Sequence, residues 1–133
     1  MKLKLITPER TLFSGEVESV EGCAPGGDFE ILEGHGAWLS PLAICTLTAR
    51  ASEEDRKVFA VHGGFIEVQG DSVLVLGDIA EAAEEIDRVR AERALSRAKE
   101  KVAGAAAGDE DYEFARREMA RAEARLEAST VKR

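Results

Sequence analysis

Arginines are concentrated in one short stretch of an otherwise acidic chain. Residues 85 to 97 read EIDRVRAERALSR, although the 133-residue chain has a formal net charge of −8. Guanidinium groups bind carboxylates and phosphates through paired, charge-assisted hydrogen bonds, and a polyanion relieves the repulsion between neighbouring arginines. The chemistry that this stretch could perform is therefore recognition of an anion, provided that its arginines converge in space.

Helical periodicity predicts that convergence. Apolar residues recur at spacings of four, three and four in two segments: Ala91, Leu95, Ala98 and Val102, then Ala115, Met119, Ala122 and Leu126. This spacing predicts two helices that pack antiparallel through these stripes. At about 100° per residue, Arg90 and Arg97 lie to one side of the first stripe. Arg121 and Arg125 lie on the same rotational side of the second, so the four arginines are expected to meet on one side of the pair.

Three interpretations of the arginine cluster stay open at this point. It could bind a phosphate chain, form an ordinary solvated helix face, or dock onto an acidic protein surface. Glu118 lies one turn before Arg121, and such i, i+3 pairs stabilise a helix by only ~0.2–0.5 kcal/mol. Charge clusters indicate function only in a probabilistic sense, and the three interpretations are compatible with one another.

Turn and capping residues set the bounds of the two helices. Asp87 is a suitable N-cap for the first helix, and the sequence GAAAGD at 104–109 releases it and lets Asp109 cap the second. The seam between the helices is mostly alanine, which buries little apolar area. We therefore expect this hairpin to depend on a partner surface or a ligand, and to rearrange more easily than the rest of the chain.

The first part of the chain has the composition of strands. Short apolar runs alternate with polar residues and are separated by turn residues such as Gly15, Gly34 and the Gly70-Asp71 pair, a pattern typical of an all-β sandwich or barrel. We predict an α+β protein in which a β-sandwich of about ten strands, residues 1–82, precedes an antiparallel two-helix hairpin, residues 83–133. Residues 1–81 account for the whole net charge, because residues 82–133 carry equal numbers of acidic and basic side chains.

Catalytic, metal-binding and nucleic-acid-binding patterns are missing from the sequence. It contains no GxxxxGK[ST] loop, GxSxG elbow or HExxH motif. Cys23 and Cys45 are too far apart for a CxxC site and are expected to be free, partly buried thiols, while His35 and His62 are isolated. Basic residues are not interleaved with aromatics, and the acidic first part would repel nucleic acid. No run of about 18 apolar residues could span a bilayer, and the opening MKLKLI resembles no secretion signal, so we expect a cytosolic chain.

Four segments resemble the epsilon subunits of bacterial F-type ATP synthases: LKLITPERTLFSGEVESV, GGDFEILEGHGAWLSPL, FAVHGGFIEVQGDSVLVLGDIAE and IDRVRA. Their order and spacing extend the resemblance over essentially the whole chain. It implies an N-terminal β-sandwich of about ten strands and a C-terminal two-helix domain. It also implies a non-catalytic subunit in the central stalk of a rotary motor, on the cytoplasmic face of the bacterial inner membrane.

The same resemblance implies partners and a regulatory role. The sandwich would hold the gamma subunit and rest on the membrane-embedded c-ring, so that the chain would meet the membrane only through that ring. The helices would either lie against the sandwich or extend along gamma toward the alpha and beta subunits and block ATP hydrolysis. A thin alanine seam suits such a rearrangement, because few large contacts would have to break.

The segment Ile86 to Ala91 matches the family's ATP-binding motif, Ile/Leu-Asp-x-x-Arg-Ala. The resemblance implies ATP as a regulatory ligand, with no cofactor required, the aspartate region near the adenosine and the arginines on the phosphates. Carried over position by position, the site comprises Glu81, Ile86, Asp87, Arg90, Ala91, Arg97, Arg121 and Arg125. The family motif and the helical geometry thus indicate the same four arginines.

A second site is implied on the sandwich. In the family, an acidic residue at the position of Asp28 and a histidine at the position of His35 contact the c-ring. This chain has Glu33 where proline is usual and Glu30 where glycine is common, so the partner loop is expected to be more basic than usual, or the contact weaker. His35 as an ordinary loop residue stays open as well.

Five further residues are assigned no function. The Gly63-Gly64 pair followed by Phe65 is explained by a turn that needs glycine, with Phe65 in the core. Trp38 and Leu39 could belong to the core or to a surface that faces gamma.

Two other classes of protein are alternatives to the motor subunit. An independent β-sandwich enzyme of the cupin type needs a histidine-rich metal site, which His35 and His62 alone cannot supply. A free nucleotide-sensing adaptor would use the hairpin without the motor, and a dominant soluble pool of the protein would favour it.

Overall fold

Eight strands precede two helices in the computed structural model, which describes residues 1–106 and 108–130. In chain order these elements are β1 (Lys2–Ile6), β2 (Thr11–Glu16), β3 (Ser19–Ala24), β4 (Gly27–Leu32), β5 (Trp38–Arg50), β6 (Arg56–Gln69), β7 (Ser72–Gly77), β8 (Ala80–Ala82), α1 (Arg88–Gly104) and α2 (Glu110–Thr130). A short 3₁₀ turn, Ala83–Glu85, joins β8 to α1. This order confirms the predicted α+β class.

The described residues form eight strands rather than about ten because β5 and β6 are unusually long. β5 has 13 residues and β6 has 14, and they pair antiparallel along almost their whole length. Both strands run through the two layers of the sandwich. Apolar runs that the sequence separates at Gly63 and Gly64 therefore belong to one strand.

The Gly63-Gly64 pair marks the place where β6 changes the face that it turns toward the core. Before the pair, Phe59 and Val61 are core residues, whereas after it the core residues are Ile66 and Val68. Both glycines have positive φ, +85° and +121°, a conformation that glycine adopts without a steric penalty. This change lets one sheet, with the order β2-β1-β7-β6-β5-β3-β4 and β8 paired to β6, fold over itself into two layers.

The prediction that Phe65 lies in the core is wrong. This residue is 53% exposed, because after the two glycines it is the next residue, Ile66, whose side chain lies in the core. Phe65 lies opposite Pro41 on β5 and Leu76 on β7, and all three residues are exposed. We call Pro41, Phe65 and Leu76 the outer apolar row, and the neighbouring Leu39 is 66% exposed.

The core between the two layers is built from aliphatic side chains of β1, β3, β4, β5, β6 and β7. Its largest fully buried members include Leu3, Leu5, Val20, Ile31, Leu47, Ile66, Val73 and Val75. Trp38 packs against this core and makes an edge-to-face contact with Phe29, with ring centroids 5.2 Å apart. Both cysteines are free and partly buried, as predicted, and burial raises the pKa of each thiol.

The helical hairpin forms with the predicted caps. Asp87 accepts a hydrogen bond from the backbone nitrogen of Arg90 at 3.0 Å, and Asp109 accepts one from the backbone nitrogen of Asp111 at 3.0 Å. The helices pack through the predicted alanines, of which Ala91, Ala98, Ala115 and Ala122 are buried. Ala107, in the predicted turn, lies outside the described residues. Neither helix in the described part of the chain is long and apolar enough to cross a bilayer.

A second small-residue face attaches α2 to the sandwich. Ala124 and Ala128 are buried against Val58 and Ala60 of β6 and against Ala83. Thus α2 packs against α1 on one side and against β5 and β6 on the other. The hairpin is folded against the sandwich through contacts that are mostly single methyl groups.

The bend at Gly64 generates a stability prediction. A Cβ atom on Gly64 would collide with the backbone oxygen of Leu76, at a φ that side chains rarely adopt. We expect Gly64→Ala to lower the free energy of unfolding by more than about 2 kcal/mol, measured by urea denaturation. Gly26→Ala is the matched control, because a Cβ there meets no atom within 4 Å. Equal urea midpoints for the two variants would contradict this account of the bend.

Candidate functional site

A cavity of about 340 Å³ lies where the helical hairpin meets the end of the sandwich. The residues that line it are Glu81, Glu85, Asp87, Arg90, Ala91, Ala94, Arg97, Glu118 and Arg125. Six of the eight residues predicted for the ATP site are therefore brought together around one space. The volume falls in the range of about 300–1,000 Å³ that is usual for small-molecule sites.

Three of the four predicted arginines converge on this cavity. Arg90 and Arg97 lie two turns apart on α1, and Arg125 faces them from α2. Arg121 is not among the lining residues; its Nη1 donates to Oε1 of Glu118 at 3.1 Å. Arg121 therefore forms the i, i+3 pair with Glu118 on its own helix and does not join the other three arginines at the cavity.

The first residue of the predicted motif also lies outside the cavity. Ile86 is partly buried and packs on the cluster formed by Val58, Ala60 and the α2 alanines. It fixes the start of the hairpin against the sandwich, because its side chain continues that apolar contact. Asp87 both caps α1 and lines the cavity, so the motif combines an apolar anchor, a helix cap and an arginine.

Glu81 connects the sandwich to the hairpin. Its Oε1 accepts a hydrogen bond from Nε of Arg125 at 2.8 Å and another from Nε2 of His62 at 2.9 Å. These residues belong to β8, α2 and β6, so one carboxylate oxygen joins three elements. The hydrogen bond from His62, together with Arg125, lowers the pKa of Glu81 to about 2 against the opposing effect of burial.

The sequence interpretation missed His62, which it treated as an isolated histidine. The side chain of His62 is fully buried, and it follows Val58 and Ala60 at a spacing of two along β6. That alternation predicts the same face for all three residues, and Val58 and Ala60 contact the hairpin. The alternation along β6 therefore places His62 on the same face as Val58 and Ala60, but only the structure shows that this face packs against the hairpin.

Acidic side chains accompany the arginines, so the site is not the bare cationic cluster that the helical geometry alone suggests. Glu85 is paired with Arg10, whose Nη2 lies 2.9 Å from each carboxylate oxygen. Glu118 is paired with Arg121. These two carboxylates thus have cationic partners that do not line the cavity.

Arg90 and Arg97, in contrast, have no carboxylate partner in the described part of the chain. Among residues 1–106 and 108–130, neither guanidinium forms an ion pair or a hydrogen bond, and Arg125 uses only its Nε. Unpaired guanidinium groups around a partly enclosed space favour an anion with several oxygens. Within the same described ranges, no three His, Cys, Asp or Glu side chains are grouped as they would be around a metal ion.

The two residues predicted to contact the c-ring lie at opposite ends of β4. Asp28 is the second residue of this strand, and His35 follows its last residue, Leu32, by three positions. Four residues of strand, about 13 Å, separate Asp28 from Leu32. His35 is exposed, its Nδ1 lies 2.7 Å from the backbone oxygen of Gly36, and its ring lies 6.0 Å from that of Trp38. The structure does not bring Asp28 and His35 into one loop.

Comparison with known proteins places this chain in a defined class. Residues 1–83 match the family model described as "ATP synthase, Delta/Epsilon chain, beta-sandwich domain". Residues 84–130 match "ATP synthase, Delta/Epsilon chain, long alpha-helix domain". The class is therefore the two-domain delta/epsilon chain of ATP synthases.

Individual relatives agree with this class. The chain is 42% identical to the ATP synthase epsilon chain of Solibacter usitatus over 132 residues, covering 99% of this chain and 97% of that one. It is 34% identical to that of Geobacter metallireducens over 129 residues, covering 97% and 93%. A chain in a structure of the Euglena gracilis mitochondrial ATP synthase shares the fold, with a TM-score of 0.81, 23% identity, and coverage of 97% and 80%. The chain belongs to the family of ATP synthase epsilon chains, which are non-catalytic subunits.

The lowered pKa of Glu81 generates a prediction about pH. A carboxyl whose pKa falls from 4.5 to about 2 on folding stabilises the fold above pH 4.5, and this contribution is lost as the pH falls toward 2. We expect Glu81→Gln to lower the free energy of unfolding at pH 7 by about 1–2 kcal/mol, after allowance for screening of a partly exposed group.

Urea denaturation at pH 7 and pH 3 tests this expectation. The difference between wild type and Glu81→Gln shrinks at pH 3 if the ionised carboxylate is the source of the stability. Glu67→Gln, on an exposed position of β6, is the control and is expected to change little at either pH. A difference that stays constant between the two pH values contradicts the assignment.

Proposed function

We propose that this chain is a central-stalk subunit of a bacterial ATP synthase that links the gamma subunit to the c-ring. The observation that carries the proposal is its membership of the epsilon-chain family over both domains. In this role the protein is peripheral, on the cytoplasmic face of the inner membrane, and it contacts the membrane only through the ring. It transmits rotation between proton flow and the catalytic head.

The outer apolar row supports a protein partner on one face of the sandwich. Phe65 and Leu76 are 53% and 43% exposed, and Leu39 beside them is 66% exposed. Because large apolar side chains grouped on a surface favour a protein contact, we assign this face to gamma. Asp28 and His35 lie at the ends of β4 and are kept as the proposed residues for the c-ring, although a single contact cannot use both unless it extends along the strand.

The helical hairpin is proposed to regulate ATP hydrolysis by leaving the sandwich. Docking of α2 depends on the methyl groups of Ala124 and Ala128, each worth roughly 0.8 kcal/mol, which pack on a small apolar cluster that includes Val58 and Ile44. It depends also on the weak hydrogen bond from Thr46 to the backbone of Ala124 and on the Glu81–Arg125 bond. Hydrogen bonds to charged groups contribute about 1.5–3 kcal/mol. Release of the hairpin therefore costs only a few kcal/mol, and the freed helices can extend along gamma toward the alpha and beta subunits.

The cavity is proposed to bind ATP as a regulatory ligand. Arg90, Arg97 and Arg125 are directed at the phosphates, and Glu81 and Asp87 supply acceptors for the adenosine. A ligand at one hundred times its Kd stabilises the bound form by about 2.7 kcal/mol, which is comparable to the cost of release. Because the cavity exists only while the hairpin is folded, ATP favours the folded form.

Titration with ATP tests the site. We expect calorimetry on the full chain to show saturable binding, weakened about ten- to hundredfold by Arg90→Ala or Arg97→Ala, because each loses charge-assisted hydrogen bonds. Arg93→Ala is the matched control, since Arg93 lies on the same helix but does not line the cavity. An absence of heat at millimolar ATP, or an equal loss in all three variants, would remove the site.

Purification of the native complex tests the motor role. We expect the chain to co-purify with alpha, beta, gamma and the c-ring, and a complex whose chain ends after Ala83 to hydrolyse ATP several-fold faster. Unchanged hydrolysis would contradict the regulatory role of the hairpin. A dominant pool of the chain without gamma would favour a free nucleotide-sensing adaptor instead.

A further inference from the structure

We propose that His62 is a positioning residue for the cavity: from the face of β6 that packs against the hairpin, it fixes Glu81 so that Arg125 keeps its terminal nitrogens free for a phosphate. This inference rests on the proposed ATP site and adds to it a residue that does not line the cavity. His62 touches no ligand in this account. It acts through Glu81.

The burial of His62 makes its hydrogen bond to Glu81 a fixed feature. The side chain is fully buried, and its Nδ1 is buried without a hydrogen-bond partner in the described residues. Since burying a polar ring is unfavourable unless it is hydrogen-bonded, the bond from Nε2 to Glu81 at 2.9 Å is its compensation. That bond requires the proton on Nε2, because Oε1 of an ionised carboxylate can only accept.

The carboxylate of Glu81 binds Arg125 in an incomplete way. Carboxylates commonly contact a guanidinium through two parallel hydrogen bonds, one to each oxygen. Here Oε1 of Glu81 accepts hydrogen bonds from both Nε of Arg125 and Nε2 of His62, whereas Oε2 accepts no hydrogen bond within the described ranges. His62 thus holds the carboxylate in an orientation that engages only Nε of Arg125.

This orientation leaves unused groups on both partners. The terminal nitrogens of Arg125 form no hydrogen bond in the part of the chain that the structure describes, and both Arg125 and Glu81 line the cavity. A phosphate can therefore bind Arg125 while the bond to Glu81 persists. Without His62, the carboxylate is free to turn into the two-bond arrangement, in which it competes with the phosphate for a terminal nitrogen.

Two similar substitutions separate positioning from packing. The amide nitrogen of glutamine lies close to the position of a histidine Nε2, whereas that of asparagine lies close to Nδ1. We expect His62→Gln to keep the affinity for ATP within about twofold of wild type, and His62→Asn to weaken it about five- to tenfold, in calorimetry on the full chain. Equal affinities in the two variants would overturn the proposal.

A double-mutant cycle tests whether His62 acts through Glu81. If it does, His62→Asn has little further effect on ATP affinity in the Glu81→Gln background, because the carboxylate that it orients is gone. If His62 only fills space, the two substitutions weaken binding independently and their effects add. Additive effects would therefore overturn the proposal.

A measurement without ligand keeps this inference separate from the ATP proposal. NMR of the Arg125 guanidinium reports which of its nitrogens are hydrogen-bonded. We expect Nε alone to be bonded in wild type and in His62→Gln, and a terminal nitrogen to become bonded in His62→Asn. Absence of ATP binding in wild type would remove the ATP site, whereas identical Arg125 signals in the three proteins would remove the positioning role of His62, whether or not ATP binds.

Discussion

The hydrogen bonds on Oε1 of Glu81 are the constraint on which the site depends. Through this one atom, β8 is joined to a buried histidine of β6 at 2.9 Å and to an arginine of α2 at 2.8 Å. The other contacts between α2 and the sandwich are small apolar ones and a long hydrogen bond, 3.5 Å, from Oγ1 of Thr46 to the backbone oxygen of Ala124. The ion pair is shorter and charged, so it contributes most to the orientation of α2 at the cavity where the hairpin meets the sandwich.

The glycine bend in β6 makes this arrangement compatible with a sandwich. Before the bend, even-numbered residues face the hairpin and odd-numbered residues face the core, whereas after it the even-numbered residues are in the core. One strand can thus present His62 to the helical side and Phe65 to solvent, three residues apart. The proposed ligand site and the proposed gamma-facing surface both follow from this change of phase.

Local patterns predicted the helices well, and contacts between distant elements limited the rest. The alanine stripes and the convergence of three arginines follow from the periodicity of the two helical segments, and the caps follow from the residue types of Asp87 and Asp109. The sequence shows that Arg121 can pair with Glu118, but only the structure decides between this pair and a position of Arg121 at the cavity. The exposure of Phe65 and the proposed role of His62 depend on the change of face in β6, which the sequence did not reveal because glycine is equally compatible with a turn and with a bend.

Amide hydrogen exchange on the full chain tests the central claim most directly, namely that a ligand in this cavity holds α2 against the sandwich. The account predicts that ATP slows exchange along α2 around Arg125 and in the first turns of α1 by tenfold or more, while the strands of the inner core change little. Unchanged exchange in α2 at an ATP concentration that saturates the protein would show that ligand and docking are not linked, and would contradict the account.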